Sequence, residues 1–552
     1  MLKSTTCIPN NVKLLHIEKM ALLIAIALTK MKNLKSQVLL LYLCLAGISE
    51  VSSQVPGSNI FDAAYINEVR IYMSQENYWD SLLYYKEEGD VDRDYTFMVC
   101  SIEFNGVGID SVGIRLKGNS SFGGPSIKKS IKLKFNKYVS GQKLDGLKKV
   151  NLNNNFNDPT LMREKLFLDV LQETGVYAPR CCYAKVFIND GYWGLYTLVD
   201  HIDKVFLLSN FNSKSGNLYK GDRFPWEPCA NLAYHDDPLE YRNCYSKETN
   251  EEVNDWSDLE DLITKVNHTP IEDYYLTISS VLNTASFMNA WASNIVFVNV
   301  DSYVETGHNY YTYHNPVSGK FEWITWDVNE AFGLWNVRMP LDQLYNLDIF
   351  YLPDNPHLNR PLTYYMLEEP NFRKIYLDKV YELVLKVFNP DILFPRIDSL
   401  YALIKTDVHM DPNKIIGNDL FERNINDDVY IEDYPRWVPG LKSFIRERHQ
   451  FLQTQLQELG YSFTVNQELT AINQHLLSVI PNPTFDHITL ETHFKAGQKY
   501  TLELRSITGQ LMLHKNIDNP REIVDLSPFP NGVYILRITD HQQVWQKKIL
   551  KL

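Results

Sequence analysis

Asp301-Ser-Tyr-Val-Glu-Thr-Gly-His-Asn309-Tyr-Tyr-Thr-Tyr313, followed by Trp326-Asp327-Val-Asn329-Glu-Ala-Phe332-Gly333, is the pair of segments on which the reading of this chain turns. It sets two aspartates and an amide around an aromatic strand and ends in a glycine turn. Two aspartates brought within roughly 4 Å repel by about 4 kcal/mol at an effective dielectric of 20, so such a pair calls for a proton or a cation. Mg²⁺ takes one or two carboxylates together with phosphate oxygens, and the pattern suits a divalent metal held against a triphosphate. The competing reading is a buried β-hairpin whose Asp and Asn residues cap turns. Tyr310, Tyr311 and Tyr313 are expected to fill a core. His308 is expected at the surface or hydrogen-bonded, and Arg446 and Arg448 on the solvated face of a helix.

Strand patterns dominate the chain from Ile60 to about Phe206, at 69–73, 95–104, 111–117, 130–135, 184–188 and 194–199. One helix interrupts them, over 160–174, opened by Asn157-Asp158-Pro159. From about Asp255 to Leu459 the periodicity turns helical, near 257–267, 280–297, 360–388, 391–405 and 441–459. A β-rich part followed by a helical part predicts an α+β fold of two lobes with a cleft between them. Past Gly460 short strands return between turns at Thr508-Gly509 and Asn531-Gly532, which predicts a small β-sandwich of about 70 residues. The expected division is an upstream extension with a signal peptide (1–54) and a main domain (58–462). The main domain divides into a β-rich lobe (about 58–230) and a helical lobe (about 231–462). A linker (463–478) and the sandwich (479–552) follow.

The chain has 552 residues and a formal net charge of −13, which argues against wholesale binding to nucleic acid or to an anionic membrane surface. A phosphate site must therefore be a local basic pocket. Near the N-terminus, Met31-Lys-Asn-Leu-Lys35, the apolar run 38–47 and Val51-Ser-Ser53 read as a signal peptide cleaved beside Gln54. Neither apolar run approaches the roughly 18 to 20 residues of a membrane span, so no stable transmembrane segment is expected once the leader is removed. Cys44 follows Leu rather than a small residue, against a lipid anchor. In an oxidising compartment Cys229 and Cys244 are the expected disulfide, across an Asn-, Asp- and Pro-rich stretch. Adjacent Cys181 and Cys182 should point to opposite faces of a strand, and no zinc motif is present.

Gly118-Asn119-Ser120-Ser121 links a strand ending Arg115-Leu-Lys117 to Lys128-Lys129 and a further strand. A glycine-rich connection lets backbone N–H groups and the hydroxyls of Ser120 and Ser121 approach phosphate oxygens. On that further strand Lys132 and Lys134 share the face opposite Ile131, Leu133 and Phe135. The two lysines face either a phosphate or solvent.

These motifs resemble the CotH-type atypical protein kinases, the spore coat protein H family. The likeness runs over most of 60–460. It rests on Gly113-Ile-Arg-Leu-Lys-Gly-Asn-Ser-Ser121, Lys128-Lys-Ser-Ile-Lys-Leu-Lys-Phe135, Leu161-Met-Arg163, Ile188-Asn-Asp-Gly-Tyr-Trp-Gly-Leu-Tyr196 and the two opening segments. The resemblance implies a remote kinase-like fold that binds ATP with Mg²⁺, Mn²⁺ or Ca²⁺ being the alternatives, and passes the γ-phosphate to Ser or Thr of an exported protein. It implies catalytic roles for Asp301, Lys132 and Lys134, nucleotide contacts from Arg115, Lys117, Asn119, Ser120 and Ser121, and metal contacts from Asp327, Asn309 and Asn329. The sequence departs from the family where Asn329 replaces the second aspartate of Trp-Asp-x-Asp and where Asp200 replaces a longer acid. A catalytically weak or inactive surface binding protein, with Ca²⁺ at the aspartates, is the rival reading.

The final segment resembles the C-terminal sorting domain of type IX secretion, through Pro481-Asn-Pro483, Gly509, Asp525-Leu-Ser527, Asn531-Gly-Val-Tyr534 and the terminal Lys-Lys-Ile-Leu-Lys-Leu. That likeness implies passage through the periplasm, handling by the type IX machinery through 479–552, removal of the domain, and a secreted or cell-surface destination.

Overall fold

The computed structural model describes residues 55–463, apart from 63–64, 93, 125, 222, 225–226, 338 and 433–434, and most of 477–551. The expected leader, nearly all of the linker, Pro481-Asn-Pro483, Gly509 and Asn531 lie outside the described residues.

The β-rich part is a closed barrel. Its strands are β1 (Asn67–Tyr72), β2 (Met98–Phe104), β3 (Val107–Lys117), β4 (Ser130–Lys134), β5 (Lys149–Asn153), β6 (Cys181–Ile188) and β7 (Gly191–Asp200), ordered β1-β2-β3-β4-β5-β7-β6. A parallel pairing of β1 with β6 closes the ring, and the other neighbours run antiparallel. The two-residue period of the strands explains the barrel's filling. Val69, Ile71, Ile114, Leu116, Ile131, Leu133, Val150, Leu152 and Leu198 are all fully buried in one cluster, each contributing about 1.5–3 kcal/mol. Residues of opposite parity on β3, β4 and β5 therefore face outward: Arg115, Lys117, Lys132, Lys134, Lys149, Asn151 and Asn153. Cys181 and Cys182 divide between the helical core and the barrel core, as the alternation required.

Two helices are inserted in this part, where one was expected. The first, α1 (Tyr78–Asp92), reads as a loop in sequence because Lys86-Glu-Glu-Gly-Asp90 breaks its apolar face. It is held by Leu82 in the barrel core and by an ion pair from Lys86 to Asp90 one turn on. The second, α2 (Arg163–Glu173), starts three residues later than expected. Leu161 has φ 56°, outside the helical region, and the Asp158 carboxylate takes the N–H groups of Thr160 and Arg163.

A second sheet straddles the lobe boundary expected near residue 230. It joins β8 (Leu218–Gly221), β9 (Tyr245–Lys247), β10 (Tyr310–Asn315) and β11 (Lys320–Thr325) in the order β9-β8-β10-β11. Helices Ser257–His268, Ile271–Val281, Thr284–Val296, Pro361–Glu368, Pro370–Lys386, Pro390–Met410 and Leu441–Glu458 surround it. The expected helix over 360–388 is broken at Glu369-Pro370, where Glu369 caps the second segment by accepting from the Phe372 N–H at 2.7 Å. Arg446 is exposed, whereas Arg448 corrects the expectation of a solvated face. It is fully buried, donating to the carbonyls of Ile295, Val296, Tyr345 and Leu347, because the helix is packed on both of its flanks. Cys229 and Cys244 form the expected disulfide.

The C-terminal module pairs a sheet of Leu477–Ile480, His487–Thr492 and Arg521–Asp525 with one of Leu511–Ile517, Tyr500–Ser506, Gly532–Thr539 and Val544–Lys551. Residues from both, including Ile488, Leu490, Leu502, Val524, Leu536 and Ile549, share one buried cluster. The lysine-rich end of the chain, expected as a tail, is an edge strand paired with Gly532–Thr539.

Candidate functional site

The opening stretch folds as a hairpin whose open end gathers its polar residues. Tyr310 pairs with Thr325, so Asn309 and Trp326 flank the same end, and the Trp326 N–H donates to the Asn309 carbonyl at 3.2 Å. Asn309 and Asp327 both adopt left-handed backbone, φ 61° and 55°, which turns the chain sharply out of each strand. The Asn309 amide donates to the Asp301 carbonyl at 2.8 Å and to its carboxylate at 3.3 Å, while His308 Nε2 lies 3.5 Å from the same carboxylate. Tyr310 stacks on Trp323 with centroids 4.0 Å apart, so the tyrosines are core residues.

Facing this end is the outer surface of the barrel. In register across β3, β4 and β5 run Arg115, Lys132 and Asn151, with Lys134 beside Lys149 one row away. Lys117 Nζ sits 5.6 Å from the Trp326 ring centroid, which joins the barrel to the hairpin end. It donates to Asn153 Oδ1 at 2.7 Å, and Asn153 donates in turn to Glu164 of α2 at 2.7 Å. The Glu164 carboxyl is pushed up to about 8, by burial first and then by the Asp327 charge, against the pull of Lys117. Burial lowers Lys117, while Asp327 and Glu164 pull it back up.

Lys132 is the least compensated of these groups. Desolvation holds it well below the ordinary lysine range, reinforced by repulsion from Arg115, Lys149 and Lys117. It has no hydrogen-bond or ion-pair partner among the described residues. His201, buried next to Asn151 at 3.4 Å, is held well below the usual imidazole range by burial and by the same cations, so it is neutral.

On the acidic side Glu330, which sequence reasoning passed over, is 6% exposed. It accepts from Asn157 at 3.1 Å and from Asn329 at 3.3 Å. Its carboxyl is pushed up to about 7, chiefly by burial and also by Asp301 and Asp327, with Arg436 opposing. Glu164 is the second residue passed over. Its place in the first turn of a helix behind Arg163 looks like ordinary N-terminal acid chemistry.

The structure thus brings Lys117, Lys132, Asp301, Asn309, Asp327 and Glu330 to one region. Arg115 stands at its margin, its guanidinium 4.2 Å from the Tyr95 ring centroid and its Nε buried without a partner. Lys134 lies further out, 5.8 Å from the Phe97 ring centroid and beside Lys149 and Lys137. Asn119, Ser120 and Ser121 form a helical turn, Ser120–Gly123, rather than an open loop, and make no bond to the other site residues among those described. Asp200 is engaged elsewhere, paired with Arg180 at 2.6 Å beside a cavity of about 330 Å³ that contains none of the site residues. Among the described residues no three His, Cys, Asp or Glu side chains close up into a metal cage by themselves.

Residues 114–452 match the family model described as CotH kinase protein, and residues 478–551 match that of a secretion system C-terminal sorting domain. Inner spore coat protein H of Bacillus subtilis (strain 168) is 27% identical over 317 residues, covering 57% of this chain and 80% of that protein. Invasin CotH3 of Rhizopus delemar is 23% identical over 261 residues, 46% of this chain and 43% of the invasin, so less than half of that relative is spanned. Every site residue from Arg115 to Arg436 falls inside the matched span.

Proposed function

The chain belongs to the CotH kinase protein family, and on that premise we propose that it is a two-lobed, kinase-like enzyme that passes the γ-phosphoryl group of ATP·Mg²⁺ to a Ser or Thr hydroxyl of an exported protein. Lys132 is the observation that carries this reading. A desolvated lysine among Arg115, Lys117 and Lys149 with no anion beside it is costly in the free protein, and becomes favourable once a polyphosphate threads between the cations.

The donor set fits a hard divalent cation. Asp327 and Asn309 offer oxygen ligands, and the small number of carboxylates suits Mg²⁺, which keeps phosphate oxygens and water in its shell. Bound there, the metal neutralises charge on the phosphates. The remaining work falls to the chain itself. Lys117 and Lys132 orient the phosphates, with Lys117 held in place through Asn153 and Glu164. Asp301, fixed by Asn309, accepts the proton of the attacking hydroxyl as the bond from the γ-phosphorus to the acceptor oxygen forms and the bond to the ADP oxygen breaks. Fixed charges waiting at these positions supply most of the stabilisation such a transfer needs.

The C-terminal module, residues 479–552 in this reading a β-sandwich, is proposed to hand the chain to the type IX machinery and to be removed at the surface. Phosphorylation of the acceptor in the periplasm would precede that step. Among the described residues no helix is long and apolar enough to cross a membrane. Transfer of label from [γ-³²P]ATP to the chain or to a co-exported acceptor, abolished by Asp327→Ala and Asp301→Asn, is the expected result. Calorimetry showing no heat when ATP·Mg²⁺ is titrated into folded protein would defeat the proposal.

A further inference from the structure

We propose that Glu330 is a cation-binding carboxylate of this site and that Asn329 serves as its hydrogen-bond donor rather than as a metal ligand. The proposal rests on the nucleotide reading above and adds a residue that neither the motif nor the family match assigns.

Buried glutamates elsewhere in the molecule have both oxygens engaged. Glu369 takes the Phe372 N–H on one oxygen and the Asn371 amide on the other. Glu322 takes Asn283 on one and Asn315 with Ser318 on the other. Glu330 differs: Oε1 receives both Asn157 and Asn329, and Oε2 is buried with no partner. Among the described residues the orphaned buried carboxylate oxygens belong to Glu330 and Glu164 alone.

The two are not equivalent. Glu164 is tied through Asn153 to Lys117, so a cation already balances it. Glu330 faces Asp301 and Asp327, with Arg436 the cation opposing them. An oxygen left bare between two aspartates satisfies no structural need, and a cation bridging Glu330, Asp327 and phosphate oxygens satisfies all of them. Asn329 spends its amide N–H on Glu330. The charge missing from position 329 is thus present one residue later, delivered from a different side of the same turn.

Mn²⁺ titration followed by its electron paramagnetic resonance signal, with a non-hydrolysable ATP analogue present, tests this. Glu330→Gln should bind the metal-free analogue as the native chain does and lose at least tenfold in Mn²⁺ affinity. Adding Asn329→Asp to Glu330→Gln should restore most of that loss. Circular dichroism melting of each variant confirms that it is folded. Glu330→Asp, which keeps the charge but shortens its reach, should fall between the native chain and Glu330→Gln. Unchanged Mn²⁺ affinity in folded Glu330→Gln, with analogue binding intact, overturns the Glu330 assignment and leaves the nucleotide reading standing. Failure of the native chain to bind the analogue with or without Mn²⁺ overturns both.

Discussion

Lys132 behaves differently in the free and the nucleotide-bound protein, and two measurements follow. Lys132→Met removes an uncompensated cation, so the melting temperature of the free protein should rise, by the equivalent of about 1 kcal/mol, while nucleotide affinity falls more than tenfold. The second measurement concerns protons. Because the folded-state value of Lys132 is depressed, the folded chain holds fewer protons than the unfolded chain between that value and the ordinary lysine range. The cost of charging it is complete below the folded value and fades as pH rises. Phosphate oxygens raise the value again, so nucleotide binding takes up a proton. Calorimetry in buffers of differing ionisation heat should detect the uptake, and affinity should weaken as pH rises. Glu164 runs the other way. Raised from 4.5 to about 8, its contribution to stability is complete below pH 4.5 and lost as pH climbs through about 8. Glu164→Gln should flatten the fall in melting temperature over that range. At this scale the sequence made Asp301, Asn309 and Asp327 conspicuous because they bracket a strand whose alternation is plain. Glu330 lies within the same quoted stretch but was illegible. What isolates its second oxygen is the approach of Asn157, 173 positions away, and no local pattern encodes that.

Between elements, the strut from β4 to the end of helix Pro390–Met410 is the tightest link. Lys128 Nζ lies 2.6 Å from Asp411 Oδ2, both side chains almost wholly buried, and the same carboxylate oxygen accepts the Leu195 N–H at 3.0 Å. Gly194 makes room for it: a Cβ there would lie 2.5 Å from the Asp411 carboxylate oxygens, on a backbone at φ 139°. Asp411→Ala should cost about 3–5 kcal/mol by leaving Lys128 buried alone, read as a fall in the denaturation midpoint. Lys128→Met combined with Asp411→Leu should recover much of it. Elements with an unbroken apolar period were legible, as at Leu441–Glu458. Two failures have physical reasons. The acidic second half of α1 hides a face that only the barrel core makes apolar. Arg448 looks like a surface residue until Ile295, Val296, Tyr345 and Leu347 offer their carbonyls, which tertiary packing alone supplies.

For the whole molecule, the α+β character was legible and the closure of the barrel was not, because closure depends on a parallel pairing between distant strands. The C-terminal module has its own buried cluster, so a chain ending at residue 463 should melt at an unchanged temperature and bind nucleotide unchanged while failing to reach the cell surface in fractionation. Reducing the Cys229–Cys244 bridge, which spans a sequence separation of 15, should cost about 3 kcal/mol in the chain-entropy account. The barrel's seam constrains how an exported chain matures. Asn67–Tyr72 finds its parallel mate only at Cys181–Ile188, so the ring stays open until the polypeptide has emerged past residue 188. Through that interval of translocation the first strand presents unsatisfied amides to its surroundings, and productive maturation is a race between its late-arriving mate and any other extended peptide within reach.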